Sequence, residues 1–235
     1  MSVYAVSDLH GMYDLYAKIK DFLKPDDIVY CLGDCGDRGP DGWRIIKEVY
    51  NDPQWIYLKG NHEDMLAKAI KFYYNYDYSE AYELLCYNGG SKTYEDWGKD
   101  TQWDKQWANK LAELPVTATY DSASGLTILL SHSGYNPIPE EERSKPYTDH
   151  DFIWNRNHMS TGKWLGKDNE VIVHGHTPVR YAHKARNHQQ MLEIDQYCEG
   201  HKIDIDCASW YTGVSCLLNL DTLKATYFYT APLKN

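Results

Sequence analysis

Short apolar runs recur along the chain, each ending in a cluster of polar and glycine residues. Val3 to Ser7 (VYAVS), Asp27 to Leu32 (DIVYCL), Trp55 to Lys59 (WIYLK), Leu126 to Leu130 (LTILL) and Glu170 to Val173 (EVIV) are rich in aliphatic and β-branched residues. Their length and composition predict strands. After the first three, the stretches Met12 to Leu23, Asp41 to Tyr50 and Glu63 to Tyr74 carry apolar residues at spacings of three and four. That period predicts amphipathic helices. A repeating order of strand, polar loop and helix gathers the carboxyl ends of parallel strands on one edge, so loops distant in sequence converge there. That edge is the expected site.

The loops carry the chemistry. They read Asp8-Leu9-His10-Gly11, Gly33-Asp34-Cys35-Gly36-Asp37-Arg38-Gly39, Gly60-Asn61-His62-Glu63, Ser131-His132-Ser133-Gly134 and His174-Gly175-His176-Thr177-Pro178. Asp8, His10, Asp34, Asn61, His132 and His176 offer only oxygen and imidazole donors, a set suited to Mn²⁺, Fe²⁺, Zn²⁺ or Mg²⁺. Asp34 lies in a glycine-flanked turn, where one carboxylate could bridge two ions about 3.5–4 Å apart. Two such ions would lower the pKa of a shared water from about 15.7 towards roughly 7. Arg38 and Arg156 could clamp phosphate oxygens with planar guanidinium forks. His62 could protonate a departing oxygen, oriented by Asp37 through its other ring nitrogen.

These residues and their order resemble the metallophosphoesterases, and within them the phosphoprotein phosphatase family of serine/threonine phosphatases, in the compact form found in bacteriophage lambda and bacteria. The likeness extends to Asn88-Gly89-Gly90, Glu113-Leu114-Pro115 and Ile153-Trp154-Asn155-Arg156, and so covers most of the chain. It implies an α/β fold, a central β-sandwich flanked by helices with the metal site at the carboxyl ends of strands. It also implies a centre of two divalent ions, with manganese the first expectation. Asp8 and His10 would hold one ion, Asp34 would bridge, and Asn61, His132 and His176 would hold the other. Asp37 and His62 would be the acid pair, and Arg38 and Arg156 the phosphate ligands.

The resemblance also separates substrates. Symmetrical diadenosine tetraphosphate hydrolases share the first motif and the Arg-Gly-Pro that Pro40 completes here, whereas Asp37 and Glu63 follow the protein-phosphatase pattern. Ser133-Gly134 replaces the Gly-Gly of many eukaryotic relatives, and Asp206-Cys207-Ala208-Ser209 stands where Asp-Thr-Gly-Ala is expected. The expected function is therefore a metal-dependent serine/threonine-type phosphatase acting on phosphoproteins or small phosphomonoesters. The alternatives are a dinucleoside polyphosphate hydrolase or phosphodiesterase and, more remotely, a non-catalytic phosphate-binding scaffold.

Composition bounds the rest. A chain of 235 residues, 43% of them hydrophobic, with no Gly/Ser/Pro-rich linker, is expected to form one domain over residues 1–235, with a mainly helical subregion at about 64–114. Six cysteines without a CxxC pair point to reduced, buried thiols rather than a zinc knuckle. A net charge of −10 argues against a nucleic-acid polymer or an acidic membrane as partner. With no apolar leader or span in the sequence, a soluble, cytoplasmic protein is expected. The duller assignments are Glu63 as a helix N-terminal charge, His174 as a residue that packs or supports the ligands, His183, His188 and His201 as surface groups, and Glu140 to Glu142 as a solvated loop face. The aromatic stretch from Phe72 to Tyr78 and Trp97, Trp103 and Trp107 are expected to pack a helical subdomain, with a peptide- or nucleotide-stacking wall beside the metal site as the alternative.

Overall fold

The computed structural model describes residues 1–72, 80–157, 164–179 and 193–231. Among them, the chain forms two five-stranded sheets laid face to face, with helices against the first. The first sheet has the order β10-β9-β1-β2-β3, from Lys224–Tyr229, Val214–Asn219, Val3–Val6, Ile28–Cys31 and Trp55–Tyr57. The second has the order β4-β5-β6-β8-β7, from Thr117–Asp121, Thr127–Ser131, Glu170–His174, Lys202–Asp204 and Asp195–Tyr197. β1, β2 and β3 run parallel, and so do β5, β6 and β8, with antiparallel strands closing the edges.

Alternation along each strand sorts its side chains between two cores. In β1, Val3 and Ala5 face the second sheet, where they meet Ile128, Leu130, Val171, Val173 and Ile203. Val6, one position on, joins the opposite layer with Val29 and Cys31 of β2. That layer is covered by α1 (Tyr13–Phe22), α2 (Gly42–Asn51) and α3 (Asn61–Phe72) through Tyr16, Ile19, Ile45, Ile46, Val49, Met65 and Leu66. The helices end where the pattern does: at α1 the chain turns extended at Leu23, whose N–H still reaches the Ile19 carbonyl.

Beyond α3 follow α4 (Glu80–Tyr87), α5 (Ser91–Thr101) and α6 (Gln106–Ala112). Trp97 and Trp107 are buried there and Trp103 packs edge-on against Trp97 at 5.3 Å, so these three rings build the core of that region. Tyr73 to Tyr78, the rest of the aromatic stretch, lie outside the described residues. The six cysteines are free thiols. Among the described residues, no helix is long and apolar enough to cross a membrane.

The strands expected from the sequence are found within a residue or two, and α3 begins two residues earlier than its pattern, at Asn61. The site edge is the part the pattern left incomplete. It is shared by two sheets, because the loops after β1, β2 and β3 meet those after β5, β6 and β8 at the carboxyl ends of both parallel sets. Backbone bonds stitch these loops together: His10 N–H donates to the Asp34 carbonyl at 2.9 Å and Gly175 N–H to that of His132 at 2.8 Å.

Candidate metal centre and phosphate cleft

Ser7 to His10 leave β1 through a backbone that few residues adopt. Asp8 (φ 54°), His10 (φ 43°), Asp34 (φ 55°), Asp37 (φ 68°), Arg38 (φ 60°) and His176 (φ 73°) all lie in the left-handed region. Asp and His visit that region more readily than most residues, but Arg38 is costly there, and such strain persists only where the surroundings enforce it. Space enforces it too. A Cβ at Gly60 would collide with Asp34 Oδ1, and one at Gly175 with Asp8 Oδ2 and Ser7 Oγ, so only glycine lets the loops close on these carboxylates.

The result is a buried cluster of lone pairs. Asp34 Oδ2 lies 3.7 Å from His10 Nε2, 3.7 Å from His62 Nε2 and 3.3 Å from His132 Nε2. Asn61 Oδ1 is 2.9 Å from both His132 Nε2 and His176 Nδ1. Asp8 Oδ1 sits 3.7 Å from His10 Nε2 and, like His176 Nε2, is buried without a hydrogen-bond partner. Two sets, His10–Asp34–His62 and Asp34–His132–His176, have donor atoms close enough to hold an ion each.

The outer contacts orient these donors. His10 Nδ1–H donates to the Gly36 carbonyl at 2.9 Å and His132 Nδ1–H to that of Leu32 at 2.8 Å, which leaves each Nε2 facing the carboxylates. Fixing one ring nitrogen in this way is how proteins present the other to a metal. Burial, with Arg38 beside it, pushes the His10 pKa down, and burial with His132 does the same for His176, so both are neutral and able to ligate. Burial also opposes a charge on His132, yet the carboxylates of Asp34, Asp8 and Glu63 outweigh it and raise that imidazole to about 10. Acceptors crowded this closely need a shared positive charge, from a proton or a cation. The residues present therefore fit a centre of divalent ions.

Two guanidinium groups lie beside this cluster. Arg38 and Arg156 are exposed and line one cleft with His176. Arg38 Nη1 donates to His10 Nε2 at 2.7 Å and Nη2 reaches to 3.3 Å from His62 Nε2, while its own N–H is held by the Gly89 carbonyl at 2.9 Å. Arg156 Nη1 donates to Thr177 Oγ1 at 2.7 Å. Below Arg38, His62 Nδ1–H meets Asp37 Oδ2 at 2.6 Å, with both side chains almost fully buried. Burial works against protonating His62, but Asp34 and Asp37 prevail and raise its pKa. All ten sequence-derived candidates thus converge on one place.

Several residues do more than the sequence suggested, or less. Glu63 stands in the first turn of α3, as its sequence position predicts, and does more there. It is fully buried, and its carboxylate accepts from the N–H groups of Asp34, Cys35 and Gly60 and from the Tyr57 hydroxyl, at 2.7 to 3.0 Å. Burial and the neighbouring Asp34 charge push its pKa up. His174 is buried but pairs with the Tyr197 hydroxyl at 2.8 Å, apart from the cluster, as its packing assignment expected. His201 is half-buried at the surface, stacked on Trp164 at 4.6 Å and bonded through Nδ1 to the Glu170 carbonyl. His183 and His188 lie outside the described residues. Glu141 and Glu142 are exposed, in a single turn of 3-10 helix.

Supporting residues without a motif of their own also emerge. Ser7 Oγ donates to Asp8 Oδ2 at 2.5 Å, and Thr93 Oγ1 accepts from the Asp37 N–H at 2.9 Å. Asp206, expected in a family motif, is buried; its carbonyl accepts from Val179 N–H and its Oδ1 from Ala208 N–H.

Comparison with known proteins agrees with this geometry. "Serine/threonine-protein phosphatase 2" of Escherichia coli (strain K12) is 32% identical over 72 residues, 29% of this chain and 33% of that protein. A symmetrical bis(5'-nucleosyl)-tetraphosphatase of Wigglesworthia glossinidia brevipalpis is 33% identical over 67 residues, 27% of this chain and 25% of that protein. The match thus spans a third or less of the length of these relatives. A protein serine/threonine phosphatase structure from Saccharomyces cerevisiae shares the fold with a TM-score of 0.64 at 12% identity, covering 100% of this chain and 82% of that one. The calcineurin-like phosphoesterase family model matches residues 1–206, and the chain belongs to that family of metallophosphoesterases.

Proposed function

We propose that this chain is a metal-dependent phosphomonoesterase of the serine/threonine phosphoprotein type. The observation that carries the reading is the buried Asp37–His62 pair, 2.6 Å apart beneath Arg38. A serine or threonine phosphate leaves as a strongly basic alkoxide and needs a proton in the transition state, and His62 is placed and tuned to give one from Nε2.

In this reading Asp8 and His10 would hold one divalent ion, Asn61, His132 and His176 another, and Asp34 both, with manganese the first candidate. When bound, the ions supply Lewis acidity and a water of lowered pKa. The chain's own groups do the rest. Arg38 and Arg156 grip phosphate oxygens and set the ester's orientation over the cluster. Asp37 keeps the His62 tautomer with its proton on Nδ1 and stabilises the imidazolium until Nε2 has given its proton to the leaving oxygen. Glu63 holds the backbone of Asp34 still while charge moves beside it.

A dinucleoside polyphosphate hydrolase is the second reading. Pro40, which completes Arg-Gly-Pro, and the partial match to proteins named as tetraphosphatases favour it. A substrate panel with the manganese-loaded protein decides between them: phosphoserine and phosphothreonine peptides, p-nitrophenyl phosphate, diadenosine tetraphosphate and cyclic nucleotides. The proposal expects the highest kcat/KM on the phosphopeptides. A higher value on diadenosine tetraphosphate would replace it with the second reading.

A further inference from the structure

The aromatic pair that follows Asp206, Trp210 and Tyr211, has no part in the chemistry above, yet the fold presents it with care. It stands on a single helical turn, Ser209–Thr212, entered through Ala208 at φ 55°. Ser209 Oγ donates to the Asp8 carbonyl at 2.5 Å, and Thr212 Oγ1 donates to the Cys207 carbonyl at 2.8 Å. The turn is therefore bonded directly to the loop that carries Asp8. Trp210 and Tyr211 meet edge-on at 5.8 Å, and Arg38 Cζ lies 5.4 Å from the Trp210 ring.

These rings line the same cleft of about 420 Å³ as Arg38 and Arg156, with Tyr87 also on its lining. Tyr211 is 42% and Tyr87 90% exposed, so flat apolar surface stands open beside two solvent-facing guanidinium groups. Inorganic phosphate would use the cations and leave that surface wet. A phosphate joined to a flat ring would use both, because a planar π-system stacks on indole or phenol while the anion meets the arginines.

We infer that Trp210, with Tyr211 and Tyr87 beside it, is a platform on which a planar ring carried by the esterified group stacks, a specificity element that adds affinity for ring-bearing phosphates to the site's action on serine and threonine esters. The inference rests on the phosphomonoesterase reading of the same site. Tyrosine phosphate and a nucleoside phosphate share this chemistry, and the test separates them.

The experiment titrates phenylphosphonate and methylphosphonate calorimetrically into the manganese-loaded protein and measures O-phospho-tyrosine, O-phospho-serine and adenosine 5′-monophosphate by KM, with Trp210→Ala and Trp210→Phe alongside. Wild type should bind phenylphosphonate about tenfold more tightly than methylphosphonate, the scale of one stacked ring. Trp210→Ala should erase that ratio, and Trp210→Phe should keep most of it. A Trp210→Ala loss confined to O-phospho-tyrosine assigns the ring to a tyrosine ester, and one confined to adenosine 5′-monophosphate assigns it to a nucleotide. Equal losses for phenyl- and methylphosphonate would overturn the inference and reduce Trp210 to a buttress for Arg38. An equal affinity of wild type for the two would overturn it as well. Because phenyl- and methylphosphonate carry a P–C bond in place of the ester, their binding is read without turnover, and an absence of hydrolysis on every ester would count against the phosphomonoesterase reading and leave this measurement standing.

Discussion

Glu63 holds Asp34 through its backbone. The carboxylate at the start of α3 accepts the Asp34 N–H at 2.8 Å and the Cys35 N–H at 3.0 Å, across 28 or 29 residues of chain. The restraint holds Asp34 at a φ of 55°, in the left-handed region that residues other than glycine populate sparsely. Its side chain is thereby aimed among His10, His62 and His132. A buried acid that touches no substrate thus fixes the geometry of the residue most central to the cluster.

Glu63→Gln should therefore damage metal binding more than its distance from the phosphate suggests. Glutamine offers one acceptor oxygen where glutamate offers two, so a buried N–H of Asp34, Cys35 or Gly60 loses its partner. Losing hydrogen bonds to a charged group costs about 1.5–3 kcal/mol. The expected outcome is a lower chemical-denaturation midpoint together with metal affinity weakened by about 10–100-fold, the usual effect of removing a group that orients a ligand. Denaturation and metal titration of the purified variant check both, and unchanged metal affinity would leave Glu63 a purely structural residue.

Glu63 also shows what the sequence could not disclose. In a Gly-Asn-His-Glu segment opening a helix, a glutamate matches a favourable dipole charge, and only the packing of β2 against β3 reveals that it is sealed under Asp34. The candidate ligands were legible because each follows a strand whose β-branched residues announce it, and because parallel strands bring loop ends together. The antiparallel edge of the first sheet was harder to see. β9 pairs with β1 through Tyr4 and Asn219, two hundred residues apart in sequence, and no local pattern encodes that register. Trp210 was missed for a related reason: Asp206-Cys207-Ala208-Ser209 departs from its expected motif, so nothing in the chain marked the rings that follow it as part of the cleft.

Metal should stabilise the fold as well as activate it. Asp34, Asn61 and His176 crowd buried polar atoms around His132, so a cation among them stabilises an arrangement that exists only in the folded chain. At a concentration about 100 times Kd, a ligand adds about 2.7 kcal/mol. For a chain of this size, that corresponds to a melting temperature raised by roughly 5–10 °C. Chelator-stripped protein titrated with Mn²⁺ in a calorimeter should show this rise and recover hydrolysis in step. No shift in melting temperature, with no metal retained by elemental analysis, would exclude a metal centre at this cluster.

Asp34→Asn tests the bridge. Asparagine keeps the size and the neutral hydrogen bonding but removes the charge that faces three imidazoles. The variant should hold at least one metal equivalent fewer than wild type and lose nearly all turnover, with its far-ultraviolet circular dichroism unchanged. Two retained equivalents at a normal rate would show that Asp34 does not bridge.

His62 separates proton donation from metal binding, since its Nδ1 is committed to Asp37 and its Nε2 faces Arg38. His62→Asn should keep both metals yet slow phosphoserine hydrolysis by about 10²–10⁴-fold, the usual contribution of a placed acid. The loss on p-nitrophenyl phosphate should be far smaller, because that phenolate leaves readily without a proton, whereas a serine alkoxide does not. Asp37→Asn should follow the same order more mildly, since it weakens the orientation and charge of His62 without removing the ring. The set His10–Asp34–His62 offers the competing role, with His62 as a metal ligand. In that case His62→Asn would lower the metal content and slow both esters alike. Measuring bound metal and the two rates on the same preparation distinguishes a proton donor, which spares the good leaving group, from a ligand, whose loss spares neither.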